Sequence, residues 1–318
     1  AIVARVEAVR RDHSHREARI PPRLRRRRSP ASDQGSSLAP SASRGAPVEG
    51  HYIRFNRLFS QGRNVVIVAV DHGEFFGPTP GIVNLPEAIE RVGQADGILL
   101  SPGMLRHCGH AFDYRGAPMA IVRLNWSTVY CDQWSYRQAH SARVISPSEA
   151  LALGADIALA SLTLRTGDEA RDRDNVALFT QLAAEKRQAG IPLIGEFYPV
   201  APADLRREEL HAQVLTACRI LAELGADAIK TFYTGARFSE VTAACPVPIF
   251  ALGAEKLPKE MDALKLAHDA VAAGARGVVF GRNVIQANDP AAFLGALRLV
   301  VKDGASPEEA AKDHDLDK

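Results

Sequence analysis

The chain has 318 residues, 46% of them hydrophobic, and its 39 Lys and Arg against 37 Asp and Glu leave a formal net charge of +2. That length and apolar content support one large globular domain or two ordinary ones and exclude a fibre. The near-balanced charge gives the folded body no general claim on nucleic acid. Cys108, Cys131, Cys218 and Cys245 stand apart, without a CxxC or a short Cys/His spacing. This argues against a zinc site or a disulfide framework and predicts a reducing, cytoplasmic setting. With no run of about eighteen apolar residues, no membrane span is predicted.

Residues 1–49 are rich first in Arg and then in Ser, Pro and Ala, and RLRRRRSPASDQGSSLAPSASRGAP has neither a helical nor a strand period. The segment is expected to be a disordered tail, with residues 50–318 forming the catalytic domain. A flexible basic arm, a transit peptide and sequence upstream of the functional unit are the readings open to it. Glu7, Asp12 and Glu17 count against the transit peptide. The arginines of Arg23–Arg28 suit non-specific phosphate binding, although a solvated tail without function is the simpler account.

From Tyr52 onward, apolar β-branched runs alternate with helical-period segments. The predicted order begins with strand VVIVAV (65–70), helix 85–92, strands GILL (97–100) and MAIVRL (119–124), and helix 147–153. It continues with strand DIALASL (156–162), helix 174–189, strand PLIGEFY (192–198), helix 205–224 and strand DAIK (227–230). Helix 238–244, strand PIFAL (248–252), helix 258–273, strand GVVFG (277–281) and a closing helix 290–301 complete it. Gly154, Gly225 and Gly274 sit where a helix should end in a left-handed cap before the next strand. Eight strands alternating with helices predict a closed (β/α)8 TIM barrel. An open doubly wound sheet is disfavoured, because VDHGEFFG after the first strand lacks the dinucleotide-binding glycine pattern.

In such a barrel, catalytic groups sit at the C-terminal ends of the strands. Those positions hold Asp71 and His72 after the first strand, Glu196 and Tyr198 on the fifth and Lys230 on the sixth; Gly253 follows the seventh, and Gly281 and Arg282 the eighth. Alternation puts Glu196 and Tyr198 on one face, with Phe197 and Ile229 turned to the helices. A lysine confined in a partly apolar basin can supply a free amine that attacks a carbonyl and forms a Schiff base. The alternative is a structural lysine paired with Glu196 or Asp71. Glycines after the last two strands, with a short helix and Arg282, suit a phosphate. His72 should face away if its strand continues, a packing or turn role being as open as catalysis. Asn125 and Ser127 begin a long aromatic segment, NWSTVYCDQWSYRQAH, that could cover the barrel mouth or form a subunit contact. They are placed to touch substrate hydroxyls or phosphate. HCGH (107–110) lacks further ligands for a metal.

The set VAVDHGEFFGPTPG, ADAIKTFYTG, CPVPIFALGAEKLPKEMDAL and GARGVVFGRNVIQANDP resembles the archaeal-type (DhnA-type) class I fructose-bisphosphate aldolase family. That family also contains aminodideoxyheptulosonate synthases and autoinducer-2 phosphate thiolases. The resemblance runs from about Arg54 to the C-terminal helix. It implies a TIM barrel in which Lys230 forms the Schiff base, Asp71 assists at the imine, Tyr198 moves protons, and phosphate meets Gly253, Ala254, Gly281 and Arg282. Where the family usually has a Gly-Gly pair, this chain reads LGAEK, so a left-handed backbone at Ala254 would be strained. Tyr198, absent from the thiolase branch, favours aldol chemistry, whereas a histidine at the place of His72 is functional in that branch. Glu196 is expected to relay protons, bind a hydroxyl or pair with Lys230. The expected activity is metal- and cofactor-independent cleavage or formation of a C–C bond in a phosphorylated, fructose-bisphosphate-like ketose. A transaldolase-like synthase, an acyl-transferring thiolase and a non-catalytic phosphate-binding barrel are the alternatives. The resemblance further implies a homo-oligomer, up to a ring-built decamer.

Overall fold

The computed structural model describes residues 50–136 and 138–316; the expectations for residues 1–49 lie outside the described residues. The predicted strands are β1 (Val65–Ala69), β2 (Gly97–Leu100), β3 (Met119–Arg123), β6 (Ile157–Leu162), β7 (Leu193–Phe197), β8 (Ala228–Phe232), β9 (Ile249–Leu252) and β10 (Gly277–Phe280). They close a parallel TIM barrel in the order β1-β10-β9-β8-β7-β6-β3-β2. Two short strands unseen in the sequence, β4 (Asn125–Ser127) and β5 (Ser141–Arg143), pair antiparallel as a separate sheet.

The barrel strands are apolar on both faces because both faces are buried. Alternate residues divide into two cores. Val65, Ile67, Ile121, Leu159, Ile194 and Phe250 fill the barrel. Val66, Val68, Phe197 and Ile229 pack outward with the helices. Each fully buried Ile, Leu or Phe contributes roughly 1.5–3 kcal/mol. A helix at Gly50–Leu58, outside the predicted elements, closes the barrel from below. Its Leu58 belongs to the interior cluster, with Phe55 and Phe59 packed against it.

The glycines before three of the strands have left-handed backbones, with φ of 102° at Gly154, 104° at Gly225 and 97° at Gly274. Each helix therefore ends where a Cβ is disfavoured. The aspartates ahead of β2, β6 and β8 staple strand to strand. The Asp96 carboxylate accepts the Val66 N–H at 2.8 Å, Asp156 that of Ala120 at 3.1 Å, and Asp227 that of Leu193 at 2.7 Å. In return, each aspartate donates its own N–H to the same residue's carbonyl at 2.9 Å. A cation completes each staple: Lys302 on Asp96, Arg57 on Asp156 and Lys186 on Asp227.

Helix Glu169–Ala189 starts well before the predicted Asp174, because the Asp168 side chain caps it by accepting from Ala170 N and Arg171 N. The closing helix is α-helical over Pro290–Arg298 and ends in a π turn, Leu299–Asp303. The first strand stops at Ala69 and the fifth at Phe197, so Asp71, His72 and Tyr198 lie on loops. All four cysteines are buried. Among the described residues no helix is long and apolar enough to cross a membrane.

Candidate active site

At the C-terminal end of the barrel the inward positions change from apolar to charged. β3 runs Met119, Ile121, Arg123, and β8 passes from Ala228 to Lys230. Glu196 stands directly beside Lys230 in the β7–β8 register. Four ionisable groups converge there. Arg123 donates from Nε to Asp71 at 2.7 Å and from Nη2 to Glu196 at 2.6 Å, while Lys230 Nζ donates to the other Glu196 oxygen at 2.7 Å. All four are buried, with exposures of 1% for Arg123 and Glu196, 4% for Asp71 and 7% for Lys230. Two cations face two carboxylates, so the cluster is formally neutral. Such a cluster is tolerable in a low dielectric only because the pairs are complete.

The electrostatics follow from that closure. Burial alone would raise the Asp71 carboxyl, but Arg123, Lys230 and His72 outweigh it and leave it below its ordinary value. Glu196 is likewise raised by burial and lowered further by Lys230 and Arg123. Burial disfavours the Arg123 charge, yet Glu196 and Asp71 hold it firmly protonated. Its guanidinium carbon also lies 5.2 Å from the Phe75 ring centre and 5.1 Å from that of Tyr130. Burial, with Lys230, Arg282 and Arg123 nearby, brings His72 down to about 4 against the pull of Asp71. Burial pushes the neighbouring Glu74 up to about 7. Near neutrality His72 is therefore an uncharged imidazole.

Above the cluster opens a cleft of about 540 Å³, its mouth included, onto which Asp71, His72, Glu196, Tyr198, Lys230, Gly253, Ala254, Gly281 and Arg282 all face. His72 reaches the cleft because β1 stops short and the chain turns into the helix Gly73–Phe76, so the alternation that would have turned it away does not apply. Its ring lies against Gly281, where a Cβ would come within 2.2 Å of His72 Cε1. Tyr198 is held by its carbonyl, which accepts from Thr163 Oγ1 at 2.8 Å. Its ring packs between Tyr130 and Phe232, at centroid distances of 4.7 and 5.1 Å.

The β9 and β10 loops are tied together from the side. Arg282 Nη2 donates to the Ala254 carbonyl at 3.1 Å, and Asn283 Nδ2 donates to the carbonyls of Gly253 and Glu255. Ala254 has φ of 50°, the left-handed backbone that favours glycine. The Gly253 N–H already donates to Val279 O at 3.3 Å. An anion here would thus meet Arg282 and the later amides of the loop.

Asn125 and Ser127 are placed differently from expectation. Asn125 is 1% exposed, and its amide brackets Ser161, donating to the carbonyl at 2.9 Å and accepting from the N–H at 2.8 Å. Ser127 is fully buried and accepts from Val129 N. Neither lines the cleft, because the chain leaves the barrel after Arg123 and enters the β4–β5 sheet. Arg123, Phe75 and Phe76 do line it and were missed. Arg123 carried the same signal as Lys230, a cation in step with inward apolar residues. The aromatic segment covers the mouth in part: Tyr130 lines the cleft and Trp126 Nε1 donates to Glu74 O, whereas Trp134 and Tyr136 are exposed. At the HCGH motif, Cys108 is buried and His110 faces Glu90.

Residues 65–287 match the model of a family described as DeoC/LacD family aldolase. An uncharacterized aldolase of Saccharolobus solfataricus is 31% identical over 271 residues, 83% of this chain and 98% of that protein. The 3-hydroxy-5-phosphonooxypentane-2,4-dione thiolase of Yersinia enterocolitica is 31% identical over 268 residues, covering 83% and 86% of the two chains. Among solved structures, an archaeal fructose-1,6-bisphosphate aldolase with its catalytic Lys covalently bound to the carbinolamine intermediate superposes with a TM-score of 0.66 at 28% identity. That superposition covers 78% of this chain and 98% of the other.

Proposed function

Because the chain belongs to the DeoC/LacD aldolase family, we propose that it is a Schiff-base-forming, class I aldolase that breaks or makes a C–C bond in a phosphorylated ketose, with Lys230 as nucleophile. The observation that carries this reading is Lys230 on the cleft floor, 2.7 Å from a carboxylate that a second cation also holds. Attack requires the neutral amine. Glu196 takes the ammonium proton, the amine adds to the ketone, and the proton returns to the carbinolamine hydroxyl as it leaves as water, with Asp71 assisting. Ammonium and iminium carry the same charge, so the cluster is neutral before and after. Tyr198 then removes the proton of the hydroxyl beside the scissile bond, whose electrons pass into the iminium. The resulting enamine is reprotonated and hydrolysed. The phosphate of the substrate is directed to Arg282 and the Ala254 loop.

An acyl-transferring thiolase on the same barrel is the second reading, favoured by the thiolase relative and by the neutral His72 in the cleft. The test is borohydride reduction with a panel of ketose phosphates, followed by mass analysis of the peptide containing Lys230. A reduced adduct there, absent from Lys230→Arg, is expected. No adduct with any carbonyl compound would reduce the site to a binding barrel, and acyl products formed only with a thiol acceptor would favour the thiolase.

A further inference from the structure

The two ends of the cleft differ in chemistry, and barrel topology sets them apart. Arg282 and the Ala254 loop belong to β10 and β9, whereas β3 lies four strands from β9 in either direction round the barrel. The region reached from β3 is aromatic. Tyr130, from the loop beyond β3, stands 4.5 Å from Phe75 and 4.7 Å from Tyr198 between ring centres, and Phe75 stands 6.4 Å from Phe76. These four rings line the cleft as one arc, running from the loop after β1 to the end of β7.

Positive charge on the described lining is already committed or lies elsewhere. The Arg123 charge is balanced by Asp71 and Glu196, and its guanidinium packs against Phe75 and Tyr130 with one buried nitrogen, Nη1, left without a partner; Lys230 is paired with Glu196; Arg282 is at the other end. His72 is uncharged near neutrality. A phosphate placed against the arc would lose its hydration to apolar rings and meet a cluster whose two cations are already balanced by Asp71 and Glu196. An uncharged apolar or aromatic group would gain from the same surface.

Resting on the Schiff-base reading above, we propose that the substrate is phosphorylated at one end only: the ketone half lies over Lys230 with its phosphate toward Arg282, and the other half is an uncharged aldehyde whose apolar or aromatic substituent packs on the Phe75–Phe76–Tyr130–Tyr198 arc. In the synthetic direction the enamine carbon on Lys230 bonds to the aldehyde carbon, the aldehyde oxygen takes a proton from Tyr198, and water releases the ketose from the lysine.

The experiment uses dihydroxyacetone phosphate as donor and compares butanal and benzaldehyde with glyceraldehyde 3-phosphate as acceptors. The uncharged aldehydes should show kcat/KM at least about tenfold higher, within the range a single pocket's selectivity supplies. Phe76→Arg, which adds a cation to the half-buried edge of the arc, should shrink or reverse that ratio. An equal or greater kcat/KM for glyceraldehyde 3-phosphate, or no addition to the uncharged aldehydes, overturns the proposal while a dihydroxyacetone phosphate adduct on Lys230 keeps the aldolase reading. No adduct overturns both. An unchanged ratio in a folded Phe76→Arg enzyme overturns the placement on the arc.

Discussion

Replacing Arg123 by Met tests whether the buried cluster is held by charge closure or by packing. The substitution roughly preserves an unbranched apolar stem but leaves two carboxylates facing the single cation Lys230. Glu196 keeps that partner at 2.7 Å, so Asp71 loses its close one. Removing one member of a buried ion pair costs about 3–5 kcal/mol, and the lost stacking on Phe75 and Tyr130 adds about 0.5–2 kcal/mol. A loss of roughly 3.5–7 kcal/mol at pH 7 is therefore expected from denaturant titration. The pH dependence identifies its origin. In the native protein the lowered Asp71 carboxyl contributes stability that is present above its unfolded value of 3.8 and lost as pH falls. Without Arg123, burial raises that carboxyl instead, so the folded variant takes up a proton on acidification and the gap to wild type narrows. Adding Asp71→Asn restores one cation against one carboxylate and should recover much of the loss. A deficit under about 1 kcal/mol at pH 7, or one unchanged by acid and by the second substitution, would refute the electrostatic account.

Tyr198→Phe should lower turnover by roughly 10² to 10⁴ fold while leaving borohydride trapping on Lys230 intact; loss of both would put the hydroxyl in imine formation or packing. Ala254→Gly relieves a φ of 50° and should raise stability, since the left-handed penalty of about 1–2 kcal/mol exceeds the chain-entropy cost of about 0.5–1 kcal/mol; a lower denaturant midpoint would refute this. His72, brought down to about 4, and Glu74, pushed up to about 7, act in opposite directions. From pH 4.5 to 6.5 the unfolded chain binds more protons at His72 and the folded protein more at Glu74, so their slopes offset. Relative to wild type, Glu74→Gln should therefore make stability rise with pH by up to about 1.4 kcal/mol per unit, and His72→Asn should make it fall; parallel stability curves would count against both shifts.

The barrel was legible because strands buried on both faces read as continuous apolar runs, and a lysine closing ADAIK stands out against that background. Arg123 closes MAIVR in the same way. Its meaning depends on the parity of Ile121 and on two carboxylates far away in sequence, and only the closed barrel supplies the latter. Parity itself fails wherever a strand ends early. His72 would turn away only if its strand continued, which it does not, and Asn125 and Ser127, expected to touch substrate hydroxyls or phosphate, begin another sheet. The β4 and β5 strands are too short for any period to register, and the helix from Glu169 was shortened in prediction because its opening turn is polar and is set by the Asp168 cap.

The aspartate staples recur on every second seam: β1–β2, β3–β6 and β7–β8. At the fourth such seam, β9–β10, the Arg276 N–H keeps the bond to Ile249 O, but its side chain donates to Arg63 O instead of closing a carboxylate loop. The scaffold thus has a fourfold rhythm with one altered quarter, and that quarter carries Gly253, Ala254, Gly281 and Arg282 at its opposite end. Alignment of strand against strand is secured at the floor, remote from the chemistry. The loops above are accordingly free to be exchanged for others of different length and polarity without shifting the strands beneath. Such a division lets one barrel change its reactants while its foundation stays as it is.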